Sequence, residues 1–114
     1  MSLAMHGLCP SLQVFDMPTS IRFYRDLLGF SVFSTSPPRS EDDVDWAWLK
    51  LNGTEFMLNP AYEFLSRPPA PDPARFAAHN DTCLFIGCPD VDGAYRYLRD
   101  KGLEIKEPKV APMA

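Results

Sequence analysis

The same order of local signals occurs twice along the chain: an apolar strand, an aspartate cap, a helix, a glycine stop and a second strand. The two copies span residues 9–35 and 83–107. In the first, Ser11-Leu12-Gln13-Val14-Phe15 alternates as a strand does, and Asp16-Met17-Pro18 combines an N-cap with a proline in the first helical turn. Ile21, Tyr24, Leu27 and Leu28 then recur at helical spacing, Gly29 stops the helix, and Phe30-Ser31-Val32-Phe33 reads as the next strand. In the second, Cys83-Leu84-Phe85-Ile86 is the predicted strand and Asp90 the cap. Val91, Ala94, Tyr95 and Leu98 form the apolar helix face, Gly102 is the stop, and Leu103-Glu104-Ile105 the strand after it. Asp16 and Asp90 stand equally far from Cys9 and Cys83, so the copies stay in register through strand and cap.

Between the copies, residues 45–51 and 54–59 alternate on either side of Asn52-Gly53, a strong signal for a two-residue hairpin. The first module is therefore β-α-β-β-β and spans 9–59. A proline-dense stretch, 60–81, reads as a linker with at most a helical turn near Tyr62–Leu65, and 82–114 as a second, incomplete module. The expected fold is one α+β domain of two βαβββ modules whose mixed sheet curls around a cleft, the second module lacking its last two strands.

Asp16, Ser20, Phe23-Tyr24 and Leu28-Gly29-Phe30, followed by Asp90-Val91-Asp92 and Gly102, resemble the vicinal oxygen chelate superfamily. That superfamily contains glyoxalase I, bleomycin-resistance proteins, fosfomycin-modifying enzymes and extradiol dioxygenases. The resemblance implies paired βαβββ modules and a ligand cleft, but not a reaction, because one scaffold hosts binding proteins, lyases and oxygenases alike. It further implies that a metal-dependent member would hold its divalent ion at the positions occupied here by Cys9, Met57 and Cys83. None is His, Glu or Gln, and hard divalent ions prefer oxygen or imidazole, so no metal cofactor is expected. His6 and His79 lie off these positions and read as surface residues.

Strand alternation assigns the faces. Leu12 and Val14 should meet the helix, leaving Cys9, Ser11, Gln13 and Phe15 toward the cleft. A two-residue turn makes Leu51 face Thr54 and pairs 49 with 56 and 47 with 58. Ala47, Leu49, Phe56 and Leu58 then lie under the helix, while Trp46, Trp48, Lys50, Glu55, Met57 and Asn59 line the cleft with Gln13, Phe33 and Phe85. Two tryptophans beside Glu, Lys and Asn suit an aromatic ligand: flat contact area with polar groups to orient it.

The net charge of −4 and the lack of a Lys/Arg cluster argue against nucleic acid. No apolar run approaches the ~20 residues of a membrane span, and the start lacks a signal-peptide pattern, which predicts a cytoplasmic protein. Met1 to Met5 contains a second possible start and reads as a leader. Three cysteines without a CxxC pair predict free thiols, and Glu41-Asp42-Asp43 a solvated acidic loop. Nucleophile-elbow and phosphate-loop motifs are absent from the sequence. The expected function is metal-independent binding of a small aromatic or cationic molecule at a homodimer interface, as in bleomycin resistance. The alternative is a glyoxalase-like, divalent-metal-dependent lyase or isomerase, for which Glu55 is the candidate base.

Overall fold

A computed structural model describes residues 2–109 of the 114. Met1 of the expected leader and residues 110–114 of the expected second module lie outside the described residues. The chain divides into two units, Met1–Asp81 and Thr82–Ala114.

The first unit runs β1 (Ser11–Val14), α1 (Met17–Arg22), a π-helical turn (Phe23–Leu27), β2 (Ser31–Thr35), β3 (Ala47–Leu51) and β4 (Thr54–Pro60). Its four strands form one mixed sheet in the order β1-β4-β3-β2, with β1 parallel to β4 and the other pairs antiparallel. The class is α+β, with the strand-helix-strand-strand-strand order that the first repeat predicts.

Local chemistry explains the elements. The Asp16 carbonyl accepts from the Ser20 N–H at 3.0 Å to open α1, and the Asp16 carboxylate accepts from the Thr19 hydroxyl. Gly29, at φ +89°, closes the helical segment, and the Phe30 N–H returns to the Tyr24 carbonyl at 2.9 Å. Asn52 (φ 50°) and Gly53 (φ 82°) both occupy the left-handed region that a twisted two-residue hairpin demands. The ladder then pairs Leu51 with Thr54, Leu49 with Phe56 and Ala47 with Leu58, the predicted register.

That register places Ala47, Leu49, Phe56 and Leu58 in the core beneath Met17 and Ile21. Phe56 meets Tyr24 and Phe30 edge-on, with centroids 4.7 and 5.1 Å apart. Burying one such large side chain contributes roughly 1.5–3 kcal/mol, against about 1 kcal/mol net for a hydrogen bond. A slip by one residue would drive Trp48 and Lys50 under the helix, so burial fixes the pairing.

In the second unit α3 (Val91–Asp100) is capped by the Asp90 carboxylate, which accepts from the Gly93 N–H at 2.9 Å. Gly102, at φ +92°, ends it, with the Leu103 N–H on the Leu98 carbonyl at 3.1 Å. Cap, helix and stop follow the sequence reading. The flanking strands do not: residues 83–86 and 103–105 form no ladder among the described residues. A strand exists only through a partner's backbone, which apolar alternation does not supply. Ala94, Tyr95 and Leu98 are half-buried, but Val91 is exposed.

The linker also departs from expectation. It contains a 3₁₀ turn (Phe64–Ser66) and a short helix, α2 (Pro73–Ala77). The Asp72 carboxylate caps α2 by accepting from the Ala74 N–H at 3.0 Å, and Pro73 stands at the first helical position. This is the same cap-plus-proline signal that starts α1. The acidic loop is less solvated than expected, because Asp42 and Asp43 are taken up by arginines. No helix of the described residues is long and apolar enough to cross a membrane.

Candidate functional site

The helix covers one side of the sheet, and the other side gathers the aromatic residues. Phe33 and Trp48 meet edge-on at 4.9 Å, and Trp48 and Trp46 are tilted to one another at 6.5 Å. Phe33 sits where the β2–β3 register shifts between Val32 and Ser34, and the residue is 58% exposed at the margin of the row. The three rings form one platform. Lys50 lies across it, its Nζ 3.9 Å from the Phe33 centroid and 4.5 Å from that of Trp48.

β4 and β1 extend this face. Met57 stands opposite Trp48 in the antiparallel ladder and beside Ser11 in the parallel one. Its sulfur accepts from the Trp46 indole N–H at 3.1 Å. The Trp48 indole N–H, by contrast, is shut off from solvent and has no acceptor. An unmet buried donor costs about 1–3 kcal/mol. Asn59 accepts from the Ser11 hydroxyl, and Gln13 accepts from Arg75, which reaches it from α2. Glu55 is the cross-strand partner of Lys50 and neighbours the Cys9 thiol. Burial pushes the Cys9 pKa up, and the Glu55 charge and hydrogen bond push it further, against a smaller opposing effect of Lys50.

Gln13, Phe33, Trp46, Trp48, Lys50, Glu55, Met57 and Asn59 thus share one half-open face of the first unit. Phe85 belongs to the second unit, where the residue is 97% exposed.

A second recess, which the sequence reading missed, lies at the end of the sheet. It encloses about 250 Å³ between Phe15, Asp16, Arg39, Tyr62, Phe64 and Arg67. Its charges are already matched. Arg39 binds Asp43 and Asp45 at 2.8–3.2 Å and stacks 4.2 Å over Phe64. Arg67 binds Asp16 at 2.9 Å and lies 5.1 Å over Phe15. The available signal was Arg67 close behind the aromatic residues Tyr62 and Phe64, in a segment read as linker. The platform holds the buried, unmet Trp48 N–H, whereas the arginines of the recess are paired with carboxylates, so the platform is the stronger ligand site.

The sequence profile of the Glyoxalase/Bleomycin resistance protein/Dioxygenase superfamily matches residues 8–111. The chain belongs to that superfamily. Among solved structures, a superfamily member from Vibrio splendidus 12B01 is 36% identical over 49% of this chain, with a TM-score of 0.40. The match spans 44% of the length of that protein. TnmS3, an antibiotic binding protein from Streptomyces sp. CB03234, is 21% identical over 97% of this chain and 83% of its own, with a TM-score of 0.65. The latter likeness establishes the fold. No curated protein matches the chain.

Within this superfamily the metal positions fit poorly here. Met57 spends its sulfur on Trp46, and burial, with Glu55 adding to it, raises the Cys9 pKa, which disfavours the thiolate that a metal takes. Cys83, the third position, lies in the second unit and is exposed. No group of three or more His, Cys, Asp or Glu is assembled for a metal among the described residues. A hard divalent ion therefore finds neither oxygen nor imidazole ligands at Cys9 and Met57.

Proposed function

We propose that this protein binds a small aromatic molecule, without help from a metal, on the platform of Phe33, Trp46 and Trp48, in a cleft completed by a second copy of the chain. The observation that carries the proposal is the contiguous row of rings on a sheet face left half-open. Flat aromatic surfaces supply large contact area at low entropic cost, and Lys50, Glu55, Gln13 and Asn59 around them supply orientation. The described antibiotic binding role of the Streptomyces protein of the same fold supports a sequestering function of bleomycin-resistance type. Such a role places the protein in the cytoplasm, where it would remove the compound from its target.

The chain has two tryptophans, and both belong to the platform, so intrinsic fluorescence reads the site directly. Titration with aromatic antibiotics, including cationic glycopeptides, should quench or shift the emission, and Trp48→Ala should weaken binding about tenfold, the equivalent of ~1.4 kcal/mol. An emission spectrum unmoved by the whole panel removes the proposal. Sedimentation should report a dimer.

A further inference from the structure

The polar groups of the platform are unequally supplied: N–H donors are in excess. The Lys50 ammonium makes no ion pair among the described residues and rests on ring faces alone. Trp48 Nε1 has no acceptor, and Trp46 Nε1 has only a thioether, which is a weak one. Two acceptors of the same face are already engaged, Asn59 by Ser11 and Gln13 by Arg75, and Glu55 neighbours the Cys9 thiol. We infer that the ligand is an aromatic molecule carrying an anionic oxygen, a carboxylate or phenolate, which pairs with Lys50 while its ring takes over the platform.

This rests on the aromatic-binding reading and adds a charge to it. Lys50 already occupies the negative ring faces of Phe33 and Trp48, so a cationic ligand must displace one ammonium with another and gains little. An anionic ring exchanges differently. Its face replaces the ammonium on the rings, and the displaced ammonium acquires a counter-ion. Trp48 Nε1, buried without an acceptor on the same platform, is a second donor that an anionic oxygen can satisfy. Charge-assisted hydrogen bonds are about twice as strong as neutral ones, so the exchange favours the anion.

Three probes of one size separate the possibilities: 2-naphthoate, 2-naphthamide and 2-naphthylmethylammonium. With ¹⁵N-labelled protein the two indole N–H signals report on Trp46 and Trp48, assigned with Trp46→Phe. Naphthoate is expected to bind about tenfold tighter than either other probe and to move the Trp48 indole proton downfield. Lys50→Met should cost naphthoate about that factor relative to naphthamide, so that the preference for the anion is lost, and added salt should weaken naphthoate alone. Naphthylmethylammonium binding as tightly as naphthoate overturns the inference in the unmutated protein, whatever the variant does. If all three probes bind equally, the charge assignment falls and aromatic binding stands. If none moves either indole signal, both readings fall.

Discussion

The indole N–H of Trp46 donates to the sulfur of Met57 at 3.1 Å, joining the residue before β3 to the middle of β4 on the open side of the sheet. Leucine nearly matches methionine in volume but offers no acceptor, so Met57→Leu isolates this contact. Trp46 is only half-buried, and water can replace the sulfur. A stability loss of about 0.5–1 kcal/mol in urea denaturation is expected, with a red shift of Trp46 emission in a Trp48→Phe background. A loss well beyond ~2 kcal/mol would show that Met57 acts through packing instead.

Cys9 should be the slowest thiol of the chain. Burial and the Glu55 carboxylate raise its pKa, and the thiolate is the species that alkylates, so at a given pH its reactive fraction is reduced. Cys83 and Cys88 are exposed. Iodoacetamide labelling at pH 8, followed site by site by mass spectrometry, should modify Cys83 and Cys88 first, and raising the pH should narrow the gap. Glu55→Gln removes the charge that opposes ionisation and should speed Cys9. Unchanged Cys9 kinetics in that variant would deny the pairing.

Where the side chains state their own requirement, the structure follows the sequence. Ala47, Leu49, Phe56 and Leu58 alternate, and Asn52-Gly53 fixes the turn, so register and face were both legible. A further detail was present but unread. One residue more separates Asp16 from Gly29 than Asp90 from Gly102, and the longer copy accommodates it as the π-helical turn Phe23–Leu27. The closing hydrogen bond accordingly runs from Phe30 back to Tyr24, but only from Leu103 to Leu98. What alternation could not supply was pairing. Residues 83–86 have a strand's pattern, yet a ladder needs a second backbone in place, and local sequence does not encode one. The platform's residues were legible as a face, whereas the placement of Lys50 on the rings depends on side-chain geometry.

Gly53 tests the hairpin. Its φ is +82°, and a Cβ added there would meet nothing within 4 Å, so Gly53→Ala introduces backbone strain without a clash. The left-handed conformation costs an alanine about 1–2 kcal/mol. Each kcal/mol corresponds to about 4–8 °C in the melting temperature of a domain near this size. Calorimetry should show a drop of that order with the platform's ligand binding retained. A variant that melts with the unsubstituted protein would mean the turn can relax to another form.

Asp42 should carry part of the acid sensitivity. Arg25, in the π-helical turn, grips it through two hydrogen bonds of 2.8 and 3.0 Å and also holds Asp26 at 2.8 Å. The loop after β2 is thereby tied to the helical segment. Hydrogen bonding to Arg25 lowers the Asp42 pKa, with partial desolvation opposing it. Because the folded-state value is depressed, the stabilisation is complete above the unfolded value of about 4 and fades as the pH falls through the folded one. The Asp42 side chain is 19% exposed and that of Arg25 35%, so solvent screening keeps the contribution near 1 kcal/mol. Asp42→Asn should lose about that much at pH 7 and show a smaller further decline between pH 4 and pH 2, measured as urea midpoints. If the variant and the unsubstituted protein decline equally over that range, the acid sensitivity resides in other carboxylates.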